Sequence, residues 1–337
     1  MENEKEIYEV KLSTGLTILI ALYVSGKALG KVLRHFKLQI NSEPVKLNEI
    51  DEPIVVENVS KEIDYNTITD SKLHIILSEF VAYLKEKYPD DVLNNFYNNF
   101  QKMKIDSSGF PLLLGNGAQY NCEKNTIKYV FVSCVLHELF HLASTYCNKN
   151  EKVIHCGFYQ ATKVNDEIKV FGRKLNEGYT QLMTLKAFGK KKVFRSYKYE
   201  VDVADKLDRI VGIDKMEELF LRADLLGLVN ELRKYASDDD ISKFLTYLEL
   251  VSNNRYGKFL KKNKTVENAA TFVYSFLIDT YEAKLKTELD NGIINEEELK
   301  YKLALYISSF KDKIFIPWQN YKVLDEKYKE KMIVKKA

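Results

Sequence analysis

The segment VSCVLHELFHLAST occupies residues 132–145 and has the apolar spacing of a buried helix. Its apolar side chains recur at intervals of three and four residues, which is the period of one helix face. A helix here places His137 and His141 on a common face, because residues four apart are neighbours on a helix surface. The residues available for burial are Cys134, Val135, Leu139, Leu142 and Ala143.

The five residues from His137 to His141 form an H-E-x-x-H motif. Both imidazoles can reach one metal ion from the same helix face, and this pairing is typical of catalytic zinc sites. Glu138 flanks such an ion and can take a proton from a water molecule activated there. The chain contains only five histidines, so a chance match to the H-E-x-x-H motif is rare. The alternative is that both residues are ordinary core or helix-surface histidines.

A catalytic zinc site needs a third protein ligand, and the sequence offers three candidates. Cys147 has the spacing of the third ligand in the metzincin pattern, but Ser144 stands where that pattern needs glycine. His155 has suitable chemistry but no motif around it. Glu177, in the segment LNEGYT, can be presented by a second helix that crosses the first. Its alternative role is to stabilise a helix N-terminus.

The strings HELFH (137–141) and LNEGYT (175–180) together resemble the gluzincin clan of zinc metallopeptidases. The resemblance covers roughly residues 110–190. It implies that His137, His141 and Glu177 are the metal ligands. It also implies that the predicted strand NTIKYV, residues 125–130, is the edge strand that aligns the substrate. Gln181 departs from the thermolysin-like pattern, which has an aspartate at that position.

The resemblance implies a zinc-dependent peptidase with Zn²⁺ as cofactor, a peptide or protein as substrate, and Glu138 as general base. No aminopeptidase-type signature for binding a substrate N-terminus is present, so exopeptidase action does not follow. We expect an endopeptidase, although the sequence does not decide between the two. The residues eligible by type to stabilise the oxyanion are Tyr179, Tyr197, Tyr199 and His155. Tyr197 and Tyr199 are favoured, because they follow the predicted Glu177 helix.

The chain is predicted to be α+β and predominantly helical, with a zincin-like core, a small mixed sheet and a helical C-terminal lobe. We divide it into a mixed α/β region (1–105), a metal-binding core (106–189) and the helical lobe (190–337). Strands are predicted at 7–12 and 53–59, and a hairpin is predicted within VIHCGFYQATKVNDEIKVFG, turning at Asn165-Asp166. Helices are predicted at 28–36, after a cap at Thr69 or Asp70, from Pro89-Asp90 onward, and over 175–189.

Composition excludes several classes of protein. Lys+Arg 51 against Asp+Glu 48 gives a net charge of +3, which argues against a dedicated nucleic-acid binder. The most apolar run, Leu16–Val24, is shorter than the ~20 residues that span a bilayer, so no membrane partner is expected. The acidic start MENEKE lacks the basic character of a secretory signal, so we expect a cytoplasmic protein whose four cysteines are reduced.

Two other functions fit the same residues. The chain could be a non-catalytic, zinc-containing helical protein that serves as a binding module or scaffold, although an intact Glu138 speaks against that reading. It could also hydrolyse an amide that is not a peptide. The sequence does not specify the substrate or the oligomeric state.

Overall fold

A computed structural model describes residues 44–57, 59–63, 70–107, 117–148, 150–164, 167–192, 197–254, 264–310 and 327–332. These residues belong to one compact unit that begins at Pro44. The strand predicted at 7–12, the apolar run Leu16–Val24 and the helix predicted at 28–36 lie outside the described residues. The described part is mostly helical and carries two small sheets, which agrees with the α+β prediction.

The first long helix, α1 (Ser71–Lys87), begins where its capping residue predicts. The Asp70 carboxylate accepts hydrogen bonds from the backbone N–H groups of Lys72 and Leu73. These bonds satisfy two of the donors that a helix N-terminus leaves without partners.

Two predictions in this region are wrong. The next helix, α2 (Asn94–Phe100), does not start at Pro89-Asp90. Residues 90–93 form tight turns instead, because Val92 N–H bonds to the carbonyl three residues before it rather than four. Residues 53–57 and 59, predicted as a strand, are irregular. A β-prone run becomes a strand only where another strand pairs with it, and no described strand pairs with this segment.

A three-stranded sheet precedes the motif helix. It contains β1 (Lys104–Asp106), β2 (Ala118–Asn121) and β3 (Thr126–Tyr129), in the order β1-β3-β2. The predicted strand NTIKYV exists as β3, but its expected position at an edge is wrong. β3 pairs in parallel with β1 and antiparallel with β2, so it is central, and β2 is the edge strand that packs against the motif helix.

The motif helix, α3 (Val135–Ala143), follows a short 3₁₀ turn at Val132–Cys134. All nine of its residues are buried. Apolar side chains occupy most of its surface, and the remaining face carries His137, Glu138 and His141. Both faces of this short helix are therefore committed, one to the core and the other to a cavity.

Along the chain, a four-stranded antiparallel sheet lies between α3 and the next helix. Its strands are β4 (Thr145–Asn148), β5 (Val153–Cys156), β6 (Tyr159–Val164) and β7 (Glu167–Phe171), paired in sequence order. The predicted hairpin is confirmed, because β6 and β7 pair up to Val164 and Glu167, on either side of positions 165–166. Strand β5 adds a second hairpin to the predicted segment, with its turn at residues 157–158.

Helix α4 spans Arg173–Lys192 and carries Glu177. Gly189 has φ 72° and ψ 167°, so the regular helix is interrupted at the glycine where the sequence predicts its end. The helices that follow in the described chain are α5 (Lys198–Val211), α6 (Ile213–Leu221), α7 (Leu225–Arg233), α8 (Asp238–Asn254), α9 (Lys264–Asp290) and α10 (Glu296–Ser308). None of the described helices is long and apolar enough to cross a membrane.

Helices α4 and α5 pack closely at Gly178. A Cβ atom at this position would overlap the backbone carbonyl of Glu200 on α5. A buried polar cluster holds the same two helices together: the Asp208 carboxylate accepts from the Tyr179 hydroxyl at 3.0 Å and pairs with the Lys186 ammonium at 2.5 Å. These contacts fix the rotation and height of α4, and with them the position of Glu177.

Substitution of Gly178 by Ala tests this packing. Glycine to alanine in a helix interior ordinarily stabilises by about 1 kcal/mol. Here we expect the opposite sign, a loss of about 1–3 kcal/mol in the free energy of unfolding, because the added methyl group meets backbone that cannot rotate away. Urea denaturation followed by circular dichroism measures the change. A stabilised Gly178→Ala variant would contradict the close approach of the two helices.

Candidate metal site

Three side chains from two helices converge beside α3. The Nε2 atoms of His137 and His141 lie 3.1 Å apart, and Glu177 Oε2 lies 3.3 Å from the first and 3.6 Å from the second. The two imidazoles are buried, and the carboxylate is about a quarter exposed. The structure thus brings together the two motif histidines and the distant glutamate from the LNEGYT segment.

The spacing of these three atoms fits one tetrahedral metal ion. An ion with bonds of about 2.0–2.1 Å holds its ligand atoms about 3.3–3.4 Å apart. The three separations bracket that value. Two imidazole nitrogens and one carboxylate oxygen are also a donor set that zinc accepts, with a fourth position left for water.

Without a metal, this cluster holds a charge pair. Burial opposes protonation of His141, but the Glu177 carboxylate outweighs it and sets the pKa of His141 well above its ordinary value. Burial likewise raises the pKa of Glu177, and the two histidines more than reverse that effect, so the net shift is downward. Each of the two shifts favours the charged form, so the metal-free site favours a carboxylate beside a protonated imidazole.

Polar groups surround the other nitrogen of His141. Its Nδ1 lies 3.4 Å from Thr180 Oγ1, 3.6 Å from Cys156 Sγ and 3.3 Å from Asn176 Nδ2. When Nε2 binds a metal, Nδ1 carries the proton, and the hydroxyl and the sulfur are the available acceptors. Asn176 Oδ1 accepts from the Phe158 N–H at 3.1 Å, which fixes this side chain against the four-stranded sheet.

His137 is positioned differently. Within the described residues, its buried Nδ1 atom has no hydrogen-bond partner. The Tyr197 ring stacks on the imidazole, with ring centroids 5.7 Å apart and an interplanar angle of 18°. Gln181, one turn beyond Glu177 on α4, is buried and lines the cavity. Within the described residues no carboxylate orients His137 through Nδ1, and the Tyr197 ring contacts the face of this imidazole.

Glu138 points toward the edge strand β2. Its Oε2 accepts a hydrogen bond of 2.7 Å from the backbone N–H of Tyr120. That N–H therefore faces away from β3. Backbone groups alternate between the two sides of a strand, so the N–H and C=O groups of Ala118 also face away from β3. Glu138 lines the same cavity as His137, His141 and Glu177.

The structure separates the two tyrosines favoured by the sequence. Tyr197, at φ 54° before α5, lines the cavity, and its hydroxyl hydrogen-bonds to the Glu177 carboxylate. Burial and that carboxylate raise the pKa of Tyr197, which keeps its hydroxyl protonated and able to donate. Tyr199 lies in the core against Tyr274 and does not line the cavity.

The other candidate residues lie elsewhere. The imidazole of His155, on β5, accepts a hydrogen bond from the Gln160 amide at 2.9 Å, and burial lowers the pKa of His155. Cys147, on β4, has its thiol within hydrogen-bonding distance of the Cys122 thiol. Tyr179 donates to Asp208 in the core. None of the three joins the ligand cluster, and all four cysteines of the chain are free thiols.

A cavity of about 630 Å³ surrounds the cluster. Its wall includes residues that sequence reasoning missed, chiefly Gln119 and Tyr120 on β2, together with Arg173 and Lys174 at the start of α4. The strand β2 is too short to show a pattern of its own. Arg173 and Lys174 lie one helical turn before Glu177, so a helix started two residues earlier in the prediction would have identified them.

Comparison with known proteins does not assign the chain to a family. No protein-family model matches the chain, and no match was found among curated proteins or solved structures. Any functional assignment therefore rests on the geometry of the site.

Removal of the distant ligand tests the cluster. We expect Glu177→Gln to weaken zinc binding by at least about 100-fold, because the amide supplies no negative charge and leaves two histidines as the only strong ligands. Competition with a chromophoric chelator measures the affinity. The exposed Glu151 provides a matched control, since Glu151→Gln removes one charge away from the cavity. Equal affinity of Glu177→Gln and the unaltered chain would exclude Glu177 as a ligand.

Proton release provides a second test. Because the pKa of His141 is raised, the metal-free imidazole is protonated at neutral pH, and a metal ion must displace that proton. We expect about one proton to be released for each zinc bound at pH 7, and the apparent affinity to fall as the pH is lowered. Calorimetry in two buffers of different ionisation enthalpy counts the protons. Binding without proton release would contradict the charge pair.

Proposed function

We propose that this chain is a zinc-dependent metallopeptidase of the gluzincin type with a zincin-like core. The observation that carries the proposal is the convergence of His137, His141 and Glu177 Oε2 at tetrahedral spacing, with Glu138 on the adjoining wall. A helix that contributes two ligands and a base, together with a second helix that contributes a glutamate, is the arrangement this type of enzyme requires.

The donor set supports zinc rather than a hard cation. Calcium and magnesium prefer cages built from oxygen atoms, whereas two imidazoles and one carboxylate suit zinc. In this role the bound ion supplies Lewis acidity to a water molecule and to the scissile carbonyl.

Glu138 is the proposed general base. Its carboxylate accepts the proton of the attacking water and returns it to the leaving amine, a shuttle that needs a fixed and partly desolvated carboxylate. The hydrogen bond from Tyr120 N–H supplies the fixation, and it occupies only one of the two carboxylate oxygens. A proton acceptor therefore remains on the side of the cavity.

The proposed substrate is an extended peptide that lies along β2. The outward backbone groups of Ala118, beside the N–H that holds Glu138, offer pairing to a main chain in the cavity. Tyr197 is the proposed donor to the oxyanion, because its protonated hydroxyl lies next to Glu177. The proposed mode of cleavage is that of an endopeptidase.

Exchange of Glu138 for Gln tests the mechanism. We expect kcat for peptide cleavage to fall by about 10²–10⁴-fold, because the amide cannot accept the proton, while zinc remains bound at one ion per chain. Cleavage of a quenched-fluorescence peptide library and metal analysis measure the two quantities. Glu151→Gln again serves as the control for loss of an exposed carboxylate.

Chelation supplies the complementary arm of this test. A chelator should abolish cleavage by the unaltered chain, and added zinc should restore it. Full activity in zinc-loaded Glu138→Gln would remove Glu138 from the mechanism. A zinc-loaded, unaltered chain that cleaves nothing in the library would favour the scaffold alternative.

A further inference from the structure

Two cations line the cavity beside the proposed metal site. Among the described lining residues, the charged side chains are Arg173, Lys174, Glu138 and Glu177. The two glutamates already have proposed roles as base and ligand. The charged side chains left for contact with a substrate are therefore the positive ones of Arg173 and Lys174, at the start of α4.

The first turn of α4 is anchored while its cationic groups stay available. The Lys174 backbone N–H donates to Glu249 Oε1 on α8 at 2.6 Å, which ties the turn to the helical lobe. Gly172, at φ 63°, makes the sharp change of direction between β7 and this turn. In the described structure, the Arg173 side chain is exposed, and no hydrogen bond or ion pair engages its guanidinium. The backbone of this turn is therefore fixed, while the Arg173 guanidinium is exposed and available for binding.

The position of Arg173 relates it to the reacting bond. Arg173, Glu177 and Gln181 lie four residues apart on one face of α4, and all three line the cavity. A rise of 1.5 Å per residue puts the Arg173 backbone about 6 Å along the axis from Glu177. An extended peptide advances about 3.3 Å per residue, so this rise corresponds to about two residues of an extended substrate.

The charge at this end favours an anion. Arg173 and Lys174 contribute two positive charges, and the Glu249 carboxylate behind them offsets one of these. A guanidinium offers two parallel N–H groups to one carboxylate, a geometry that neutral amides do not match with equal strength. Among the described residues no carboxylate pairs with the Arg173 guanidinium, so a substrate carboxylate can bind it.

We propose that Arg173, assisted by Lys174, is a specificity-determining residue that selects peptides carrying a carboxylate one or two residues from the cleaved bond. For the proposed endopeptidase the carboxylate comes from an Asp or Glu side chain, and a preference for a free C-terminus would instead indicate a carboxypeptidase. This inference rests on the proposed peptidase function.

The test compares matched peptides. Pairs that differ only by Glu against Gln, at each of two positions on either side of the scissile bond, separate side-chain carboxylates from the rest. Pairs with a free or amidated C-terminus test the terminal source. We expect the unaltered chain to prefer one acidic member by about tenfold in kcat/KM, equivalent to about 1.4 kcal/mol.

Variants assign that preference to the guanidinium. In Arg173→Gln the ratio of acidic to neutral cleavage should fall to near one, and in Arg173→Glu it should reverse. Arg173→Lys retains the charge and should keep most of the ratio. Arg233, which pairs with Asp238 and does not line the cavity, is the control, and Arg233→Gln should leave the ratio unchanged.

A binding arm distinguishes failure of this inference from failure of the peptidase function. Zinc-loaded Glu138→Gln is titrated with the same peptide pairs, and fluorescence anisotropy measures affinity without turnover. Equal affinity for acidic and neutral members, or equal ratios in Arg173→Gln and the unaltered chain, overturns the role of Arg173. Cleavage that shows no acidic preference overturns it while leaving the peptidase intact. If the variant binds acidic peptides selectively but the unaltered chain cleaves none of the peptides, the role of Arg173 is supported and the peptidase function is rejected.

Discussion

The close contact between Gly178 and the backbone of Glu200 is the constraint on which the site depends. It brings α4 onto α5 at the point where the neighbouring residue, Glu177, must reach the histidines of α3. It also brings the start of α5 close to the cluster, so that Tyr197 stacks on His137. A larger residue at position 178 would move the carboxylate and the tyrosine together. The glycine of the LNEGYT segment is therefore as much a part of the site as the glutamate before it.

Polar groups reach this interior only where they have defined partners. The buried Asp208 carboxylate accepts from the buried Tyr179 hydroxyl and pairs with the Lys186 ammonium, whose side chain is a quarter exposed. Burial raises the pKa of Asp208, and Lys186 opposes the rise. Such a cluster adds little net stability, but loss of one member leaves a buried charge without its partner. Its value lies in orientation, because it specifies how α4 sits against α5. The Glu177 carboxylate lies on that same helix, so this cluster also helps to fix its position.

The local parts of this structure could be predicted from sequence, and the long-range parts could not. The spacing of His137 and His141 is a property of one helix turn, and the Asp70 cap is equally local. The place of β3 in its sheet depends on which strands lie beside it, and no local pattern contains that information. The choice between Tyr197 and Tyr199 depends on a backbone turn at φ 54°. Only the resemblance points to Glu177, since nothing in its own segment specifies a contact with α3.

The four-stranded sheet between α3 and α4 has a consequence for folding. It places a long stretch of chain between His141 and Glu177, so an ion held by both would act as a cross-link across that stretch. Cross-links of this kind restrict the unfolded ensemble, and the restriction grows slowly with the length of the closed loop. Metal binding would then raise the free energy of unfolding of the sheet together with both helices. In cells short of the metal, the same chain would be the more readily degraded one.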